Sequence, residues 1–473
     1  MLPVRVVLIG FDGLRPDLVS PARTPHLARL AAEGAWFSAA RSVFPSETRA
    51  ATPSLATGCR PGAHGMVANT LFDAALCPGR LLRTKSPADL ALLAAGGESP
   101  LERETAAEVL ARAGRSFALV SSGTAGAARL LHPAAERLGQ FRWNVEEQEA
   151  PEARRLAARF GPVPPAAVPN AARIAHAGRL FVEHVLAELR PDVALLWLSE
   201  PDLSFHYAGL GAAAALAALA AADAVLGRVM AWREAEVDAA EIVIGVLSDH
   251  GHVTGRGKLS LVEELRRAGF DAGSDAGRQV VVAPGAAPGL WLRRPEDAPA
   301  LAAFLAAHPW TGALLPRDPA LLPEGWGIPL SALGSAHRRS ADLVLCFAGD
   351  AGPDVWGLPG TAPFDSPDVP EGGGMHGGLH AAELASVLVF AGGPIRRGAV
   401  VRQPADLSDV MPTVLHLFGL AGPQMEGRPL LGALAAAEDA EPEPVWLPLP
   451  RGFLLEGMRN GAGRFYPSAL RRA

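Results

Sequence analysis

Unbroken apolar runs recur along this chain at long intervals. Val4–Ile9, Phe117–Val120, Val193–Leu198, Ile242–Leu247 and Val387–Phe390 are continuous rather than alternating, the pattern of strands buried on both faces. The stretches between them read as helices, over 25–33, 101–113, 171–189, 212–234 and 408–418. The helix from 101 is placed by its start signals: Ser99 as N-cap, Pro100 at the first helical position, and Glu102 three residues after the cap. Strands alternating with helices predict an α/β fold, a largely parallel central sheet covered by helices on both faces.

The remaining segments differ in character. Residues 146–169 are charged and then Pro/Ala-rich, and read as a surface connection. Between about 255 and 350, short runs such as VVVA, LWLRR and DLVLCF flank a helix from Glu296 to Ala307. They predict a small α+β lobe, residues 255–350, inserted into a core of residues 1–254 and 351–473. The Gly-, Pro- and Asp-rich stretch 351–374 reads as an irregular loop, and the acidic tail 436–448 as a loosely packed strap.

Composition narrows the class. With 473 residues, a prior of about 150 per domain allows three domains; one large α/β unit with an insertion fits the same length. An apolar share of 49% excludes extensive disorder. A net charge of −6 with no basic stripe argues against a nucleic-acid polymer as partner. Three scattered cysteines (Cys59, Cys77, Cys346) form neither a disulfide framework nor a CxxC metal site, which suits a reducing compartment. The N-terminal apolar run is too short for a secretion signal. No stretch reaches the roughly 18 apolar residues needed to span a bilayer, and the Ala-rich 212–222 segment reads as a packed helix. The expectation is a cytoplasmic protein with no membrane partner.

The chemistry lies at the strand ends. Asp12 follows the first strand, Asp202 follows the third with His206 four residues on, and Asp249–His250 follow the fourth. In an open α/β sheet the ligand crevice lies at the carboxyl ends of the strands. Three strands therefore deliver an aspartate to one edge, two of them with a histidine nearby. Mixed imidazole and carboxylate donors suit zinc, with manganese or iron as alternatives. Each aspartate taken singly has an ordinary explanation as a turn former; their convergence is what points to a site. Residues 41–73 are dense in hydroxyls, and a helix should begin between Thr48 and Pro53. Thr48 and the pair Thr52–Pro53 are both acceptable starts; a start at Thr48 would set its oxygen beside free backbone N–H groups that favour anions.

Taken together, these residues resemble the alkaline phosphatase superfamily, in particular its nucleotide pyrophosphatase/phosphodiesterase (type I phosphodiesterase) branch. The likeness runs from Val4 to about Leu430 and rests on FDG at Asp12, FPSET at Thr48, TGCRPGAHGMVAN ending at Asn69, EPDLSFH over Glu200–His206, DHG at Asp249, and GMHG around His376. It implies the alkaline-phosphatase-like fold and two divalent metal ions, zinc first among the candidates. One ion would be held by Asp202, His206 and His376, the other by Asp12, Asp249, His250 and the oxygen of Thr48. It also implies Thr48 as nucleophile, activated by coordination and forming a covalent intermediate, with Asn69 and the backbone N–H near Arg49 holding phosphoryl oxygens. His380 is a rival to His376, whereas His64 and His252 match no ligand position and read as structural or as supports behind the ligands.

The sequence departs from the branch after the nucleophile, where Arg49-Ala50-Ala51 replaces a Phe-Pro-Asn run, and MHGGL resembles the phosphonoacetate hydrolase group equally well. The expected substrate is a nucleotide or related small phosphodiester or pyrophosphate. The alternatives are a phosphomonoesterase or phosphonate hydrolase using the same centre and, outside enzymes, an inactive metal-binding protein.

Overall fold

The computed structural model describes residues 4–94, 97, 99–434, 441–460 and 463–472. Eight strands form the central sheet, in the spatial order Ala399–Val401, Ala35–Phe37, Leu388–Ala391, Ile242–Leu247, Arg5–Phe11, Val193–Leu198, Phe117–Ser121, Phe141–Asn144. Among the described residues only Leu388–Ala391 runs against its neighbours; the other pairs in the sheet are parallel.

The continuous apolar runs follow from this layering. Val7, Ile9 and Phe11 join one core with Ile174, Leu219 and Leu226, while Val6 and Leu8 join the opposite core with Leu55, Leu110 and Val414. A strand with helices on both faces has no polar side to show.

Helices occupy Pro25–Glu33, Ala171–Leu189 (its second half a π-helix), Ala213–Ala235 and Val410–Leu417, close to expectation. The helix Ala213–Ala235 is long and apolar enough to cross a bilayer by length and composition, which no stretch was expected to be, yet half of its apolar window is buried inside the protein. Its Ala215, Leu219, Ala222, Leu226 and Val229 face the core. Buried Asp223 accepts hydrogen bonds from the backbone N–H groups of His26 (3.0 Å) and Leu27 (2.9 Å), satisfying the start of a neighbouring helix.

Four expectations are corrected. The helix placed at 101–113 spans Ala106–Arg112. Thr105 and Glu108 form the reciprocal cap, because Glu102 is drawn away to His337 (3.1 Å) and Arg338 (2.6 Å). The connection 146–169 contains the helix Pro151–Phe160, which buries Ala153, Leu156 and Phe160 on one face. The stretch 351–374 is irregular only in part: Asp350–Pro353 pairs with Pro359–Phe364, which runs parallel to Val253–Lys258, itself paired with Gly374–Met375. Buried Phe364, Val253 and Met375 hold this small sheet.

The tail is not a loose strap. Glu443–Leu449, Phe453–Arg459 and Phe465–Arg472 form an antiparallel sheet that packs Phe453, Leu455 and Leu470 against Leu315 and Leu379; residues 436–440 lie outside the described residues.

A second, five-stranded sheet is built from Ala272–Gly273, Val280–Ala283, Gly289–Leu292, Leu343–Phe347 and Thr311–Pro316. With the helices Leu261–Arg267 and Ala298–Ala307 it has its own core. The strand Val253–Lys258 straddles position 255 and belongs to the small four-stranded sheet.

Candidate metal centre

Register brings the acids to one level. Phe11 pairs with Leu198, and Gly10 with Leu247, so Asp12, Asp202 and Asp249 leave the sheet along the same edge. Gly10 is required by close approach: a Cβ there would lie 2.3 Å from the Trp197 ring. That ring in turn donates its indole N–H to Asp12 Oδ2 at 3.2 Å. Asp202 opens the helix Asp202–Ala208, so His206, one turn on, shares its face. His376 follows the short strand Gly374–Met375, whose pairing to Val253 carries it back to the same edge.

Thr48 is the first residue of the helix Thr48–Thr57, and Pro53 lies inside that helix. The Thr48 start prevails because the helix is buried along nearly its whole length, and Thr52, Ser54 and Thr57 each bond the carbonyl four residues back. Thr48 Oγ1 stands 3.4 Å from Asp12 Oδ1 and 3.3 Å from His250 Nε2. Asp249 Oδ2 lies 3.3 Å from the same nitrogen. On the other side, Asp202 Oδ1 is 3.3 Å from His206 Nε2 and 3.4 Å from His376 Nε2, and the two imidazole nitrogens are 3.2 Å apart. Donors about 2.0 Å from a tetrahedral ion stand about 3.3 Å from one another. Both clusters have that spacing.

The histidine tautomers fit the same role. Nδ1 of His206, His250 and His376 faces the backbone carbonyls of Gly374 (2.6 Å), Gly251 (3.0 Å) and Ser46 (2.8 Å). A carbonyl only accepts, so each Nδ1 carries the proton and each Nε2 turns a lone pair inward. Asp202 Oδ1 and Asp249 Oδ2 are buried without a hydrogen-bond partner, which is costly unless a cation sits against each.

The electrostatics record the same need. Burial, then the Asp249 and Asp202 charges, push the Asp12 carboxyl well up. Burial raises Asp249 to about 7. Burial also opposes ionisation of Asp202, but His206, His252 and His376 outweigh it and hold that carboxyl well below its usual range. Burial works against a proton on His376, yet Asp202 prevails and raises it. Protonation of His376 is the relief available to this cluster where no metal cation is held.

The three expected carboxylate and histidine donors of each set therefore meet, and His376 rather than His380 is at the centre. His380 instead caps the helix Ala381–Leu384, its Nδ1 accepting from the Ala382 N–H. His64 is buried between Ser54 and Met66, away from the acids. His252, expected to be structural or a support behind the ligands, stands among the donors: Asp202, His206, His252 and His376 present atoms all within 4.8 Å of one another, as do Asp12, Asp202 and His250.

Asn69 is in place, with a correction to its partner. Its Oδ1 accepts the Arg49 backbone N–H at 3.0 Å, so that N–H is engaged and Asn69 Nδ2 is the donor left for a ligand. The Arg49 side chain turns along the cleft and bonds Thr84 Oγ1 at 3.2 Å. Glu47 escaped the sequence reading. Buried immediately before Thr48, it accepts the Asn69 backbone N–H, and burial raises its carboxyl; its place inside FPSET was the available signal. A cleft of about 300 Å³ opens over the centre, bordered by Arg49, Asn69, Arg83, Lys85, Tyr207 and His376.

The family model described as type I phosphodiesterase / nucleotide pyrophosphatase matches residues 6–357, which spans Asp12, Thr48, Asn69, Asp202, His206, Asp249 and His250. The chain belongs to this family. That family is one of metal-dependent phosphodiesterases and nucleotide pyrophosphatases. Murine ectonucleotide pyrophosphatase/phosphodiesterase 5 superposes with a TM-score of 0.66 at 17% identity, covering 91% of this chain and all of that one. Phosphonoacetate hydrolase from Sinorhizobium meliloti 1021, solved with phosphonoformate, superposes with a TM-score of 0.62 at 19% identity over 86% of this chain and 94% of that one. These likenesses establish the shared α/β fold. Among curated relatives, the bis(5'-adenosyl)-triphosphatases ENPP4 of Pongo abelii and Homo sapiens are each 36% identical over 73 residues, 15% of this chain. The aligned part spans 16% of those relatives' length.

Proposed function

We propose that this phosphodiesterase-family hydrolase cleaves phosphodiester or pyrophosphate bonds in nucleotides or related small phosphoesters through a covalent threonine intermediate. The observation that carries the reading is the position of Thr48 Oγ1, at a helix start, 3.4 Å from Asp12 Oδ1 and 3.3 Å from His250 Nε2. Asp202, His206 and His376 would hold one divalent ion, and Asp12, Asp249, His250 and Thr48 the other, zinc being the best match to these donors. Two such ions supply Lewis acidity to a phosphoryl group and make the threonine oxygen a competent nucleophile.

The chain's own residues do the rest. Thr48 Oγ1 attacks phosphorus in line, its proton passing to solvent, while the leaving oxygen departs with the electron pair of the broken bond. Water then cleaves the threonine ester and restores the hydroxyl. Asn69 Nδ2 and the Arg49 guanidinium hold the non-bridging oxygens, fixed donors where charge builds up. The lobe at 255–350 acts as a cap that selects substrate: its Pro284, Gly285 and Ala286 border the cleft.

A second reading, a phosphonate hydrolase or phosphomonoesterase, is favoured by one observation. Arg49, Arg83 and Lys85 line the same cleft, more positive charge than a singly charged diester needs. An AMP complex is known for an inactive variant of the murine phosphodiesterase 5, which supports the nucleotide reading as the first. The test is turnover of bis-p-nitrophenyl phosphate, p-nitrophenyl phosphate and phosphonoacetate by one zinc-loaded preparation. Preference for the diester is expected; a strong preference for either of the others replaces the first reading by the second.

A further inference from the structure

His252 lies two residues beyond His250 and is wholly buried. Its Nδ1 faces the Gly13 carbonyl oxygen at 3.0 Å, so the ring proton resides there and Nε2 offers a lone pair. That Nε2 stands 3.0 Å from Asp202 Oδ1, and neither atom has a hydrogen-bond partner. Two lone-pair atoms in contact inside a protein repel unless a cation separates them.

The ring is also held rigidly in that pose. A Cβ on Gly13 would lie 2.3 Å from His252 Cε1, and one on Gly374 2.9 Å from Cδ2, so two glycines leave the slot it fills. Phe205 packs edge-on against it, with ring centroids 5.3 Å apart. The rings of His206, His252 and His376 surround the Asp202 carboxylate with mutual centroid separations of 5.3, 5.0 and 5.0 Å.

We propose that His252 is a fourth protein ligand, completing a closed Asp–His₃ set around the ion assigned to Asp202, His206 and His376. The proposal rests on the two-ion reading above. The distances from Asp202 Oδ1 to the three Nε2 atoms, 3.0, 3.3 and 3.4 Å, match the edge of about 3.3 Å expected of tetrahedral zinc. Three protein ligands leave a coordination position for water or substrate, whereas four close it unless the ion expands to five. With His252 this ion has as many protein donors as the one beside Thr48, four each, and is held more firmly than three would hold it.

The test is zinc-edge X-ray absorption on the zinc-loaded full chain, with zinc retention during chelator titration, for wild type, His252→Gln and His252→Met. With His206, His250, His252 and His376 as ligands, two ions average two imidazoles each, and loss of His252 lowers the average to one and a half. The wild type should give the higher value. Each variant should give the lower one and release one ion at least about a hundredfold more readily, the upper end of what loss of an outer-shell partner costs. A wild-type average of one and a half, or variants that keep both ions as firmly, would overturn His252 as a ligand while leaving the two-ion centre standing. A wild type that takes up no zinc removes the centre itself, and this assignment with it. If neither variant folds, the wild-type spectrum decides.

Discussion

Trp197 holds Asp12 from the neighbouring strand: its indole N–H reaches Asp12 Oδ2 at 3.2 Å, which leaves Asp12 Oδ1 turned toward Thr48 and His250. Trp197→Phe keeps most of the packing and removes that donor. A supporting residue of this kind typically contributes about 10- to 100-fold in metal affinity or activity. That range is expected for zinc affinity and turnover alike, with the fold intact by circular dichroism. Unchanged zinc affinity would show that Asp12 needs no such support.

Thr48→Ala deletes the attacking oxygen while retaining Asp12, Asp249 and His250. Turnover should fall at least about a thousandfold, and Thr48→Ser should retain part of it. Metal analysis should still find close to two ions per chain. Near-normal turnover by Thr48→Ala would shift the attack to water.

Arg49 separates substrates. Its guanidinium lies along the cleft, anchored on Thr84, and a charge-assisted contact of this sort is worth about 1.5–3 kcal/mol. Arg49→Ala should therefore lower kcat/KM for p-nitrophenyl phosphate by about 10- to 100-fold and for the diester by less. Equal losses on both would mean that Arg49 does not read the extra charge.

His376 and His380 make opposite predictions. His376→Ala should release one ion. His380→Ala should leave both in place and cost only the cap of the helix Ala381–Leu384, about 1 kcal/mol, since its Nδ1 serves the Ala382 N–H. The reverse pattern would exchange their roles.

The pH dependence has a definite sign. Burial holds the Asp249 carboxyl up at about 7, above the ordinary 3.8. In the metal-free protein this proton is kept while the unfolded chain loses it. Asp249 therefore contributes stability that is present at low pH and is lost as pH rises from about 4 toward 7. A bound cation requires the carboxylate, so zinc binding near neutrality should release a proton and weaken as the pH falls below about 7. Binding heats in buffers of different ionisation enthalpy would register that proton, and Asp249→Asn should abolish this part of it.

Much of the site was legible in the sequence because its carriers are local. Asp12, Asp202 and Asp249 each follow a continuous apolar run, and parallel strands of a doubly covered sheet must end on a common edge. The i,i+4 spacing of Asp202 and His206 likewise places both on one helical face. His376 was separable from His380 only by the motif around it, since both are buried histidines four residues apart.

What the sequence by itself determined, then, is the sheet, the order in which its strands carry acids to one edge, and the identity of the first donors. Tertiary structure alone decided the rest, because the partners are distant in the chain. Glu102 was lost to its local cap through contact with His337 and Arg338. Pro359–Phe364 became a strand because Val253–Lys258 offered it an edge, and Asp350–Pro353 then paired with its other side. Trp197 could orient Asp12 only because Gly10, on the adjacent strand, has no side chain in the way. His252 looked incidental beside its motif; the slot between Gly13 and Gly374, from opposite ends of the chain, turns its nitrogen onto Asp202. Hydrophobic periodicity encodes which face a residue takes, but a lone pair is aimed by whatever packs behind it, and that is set only when the chain has folded.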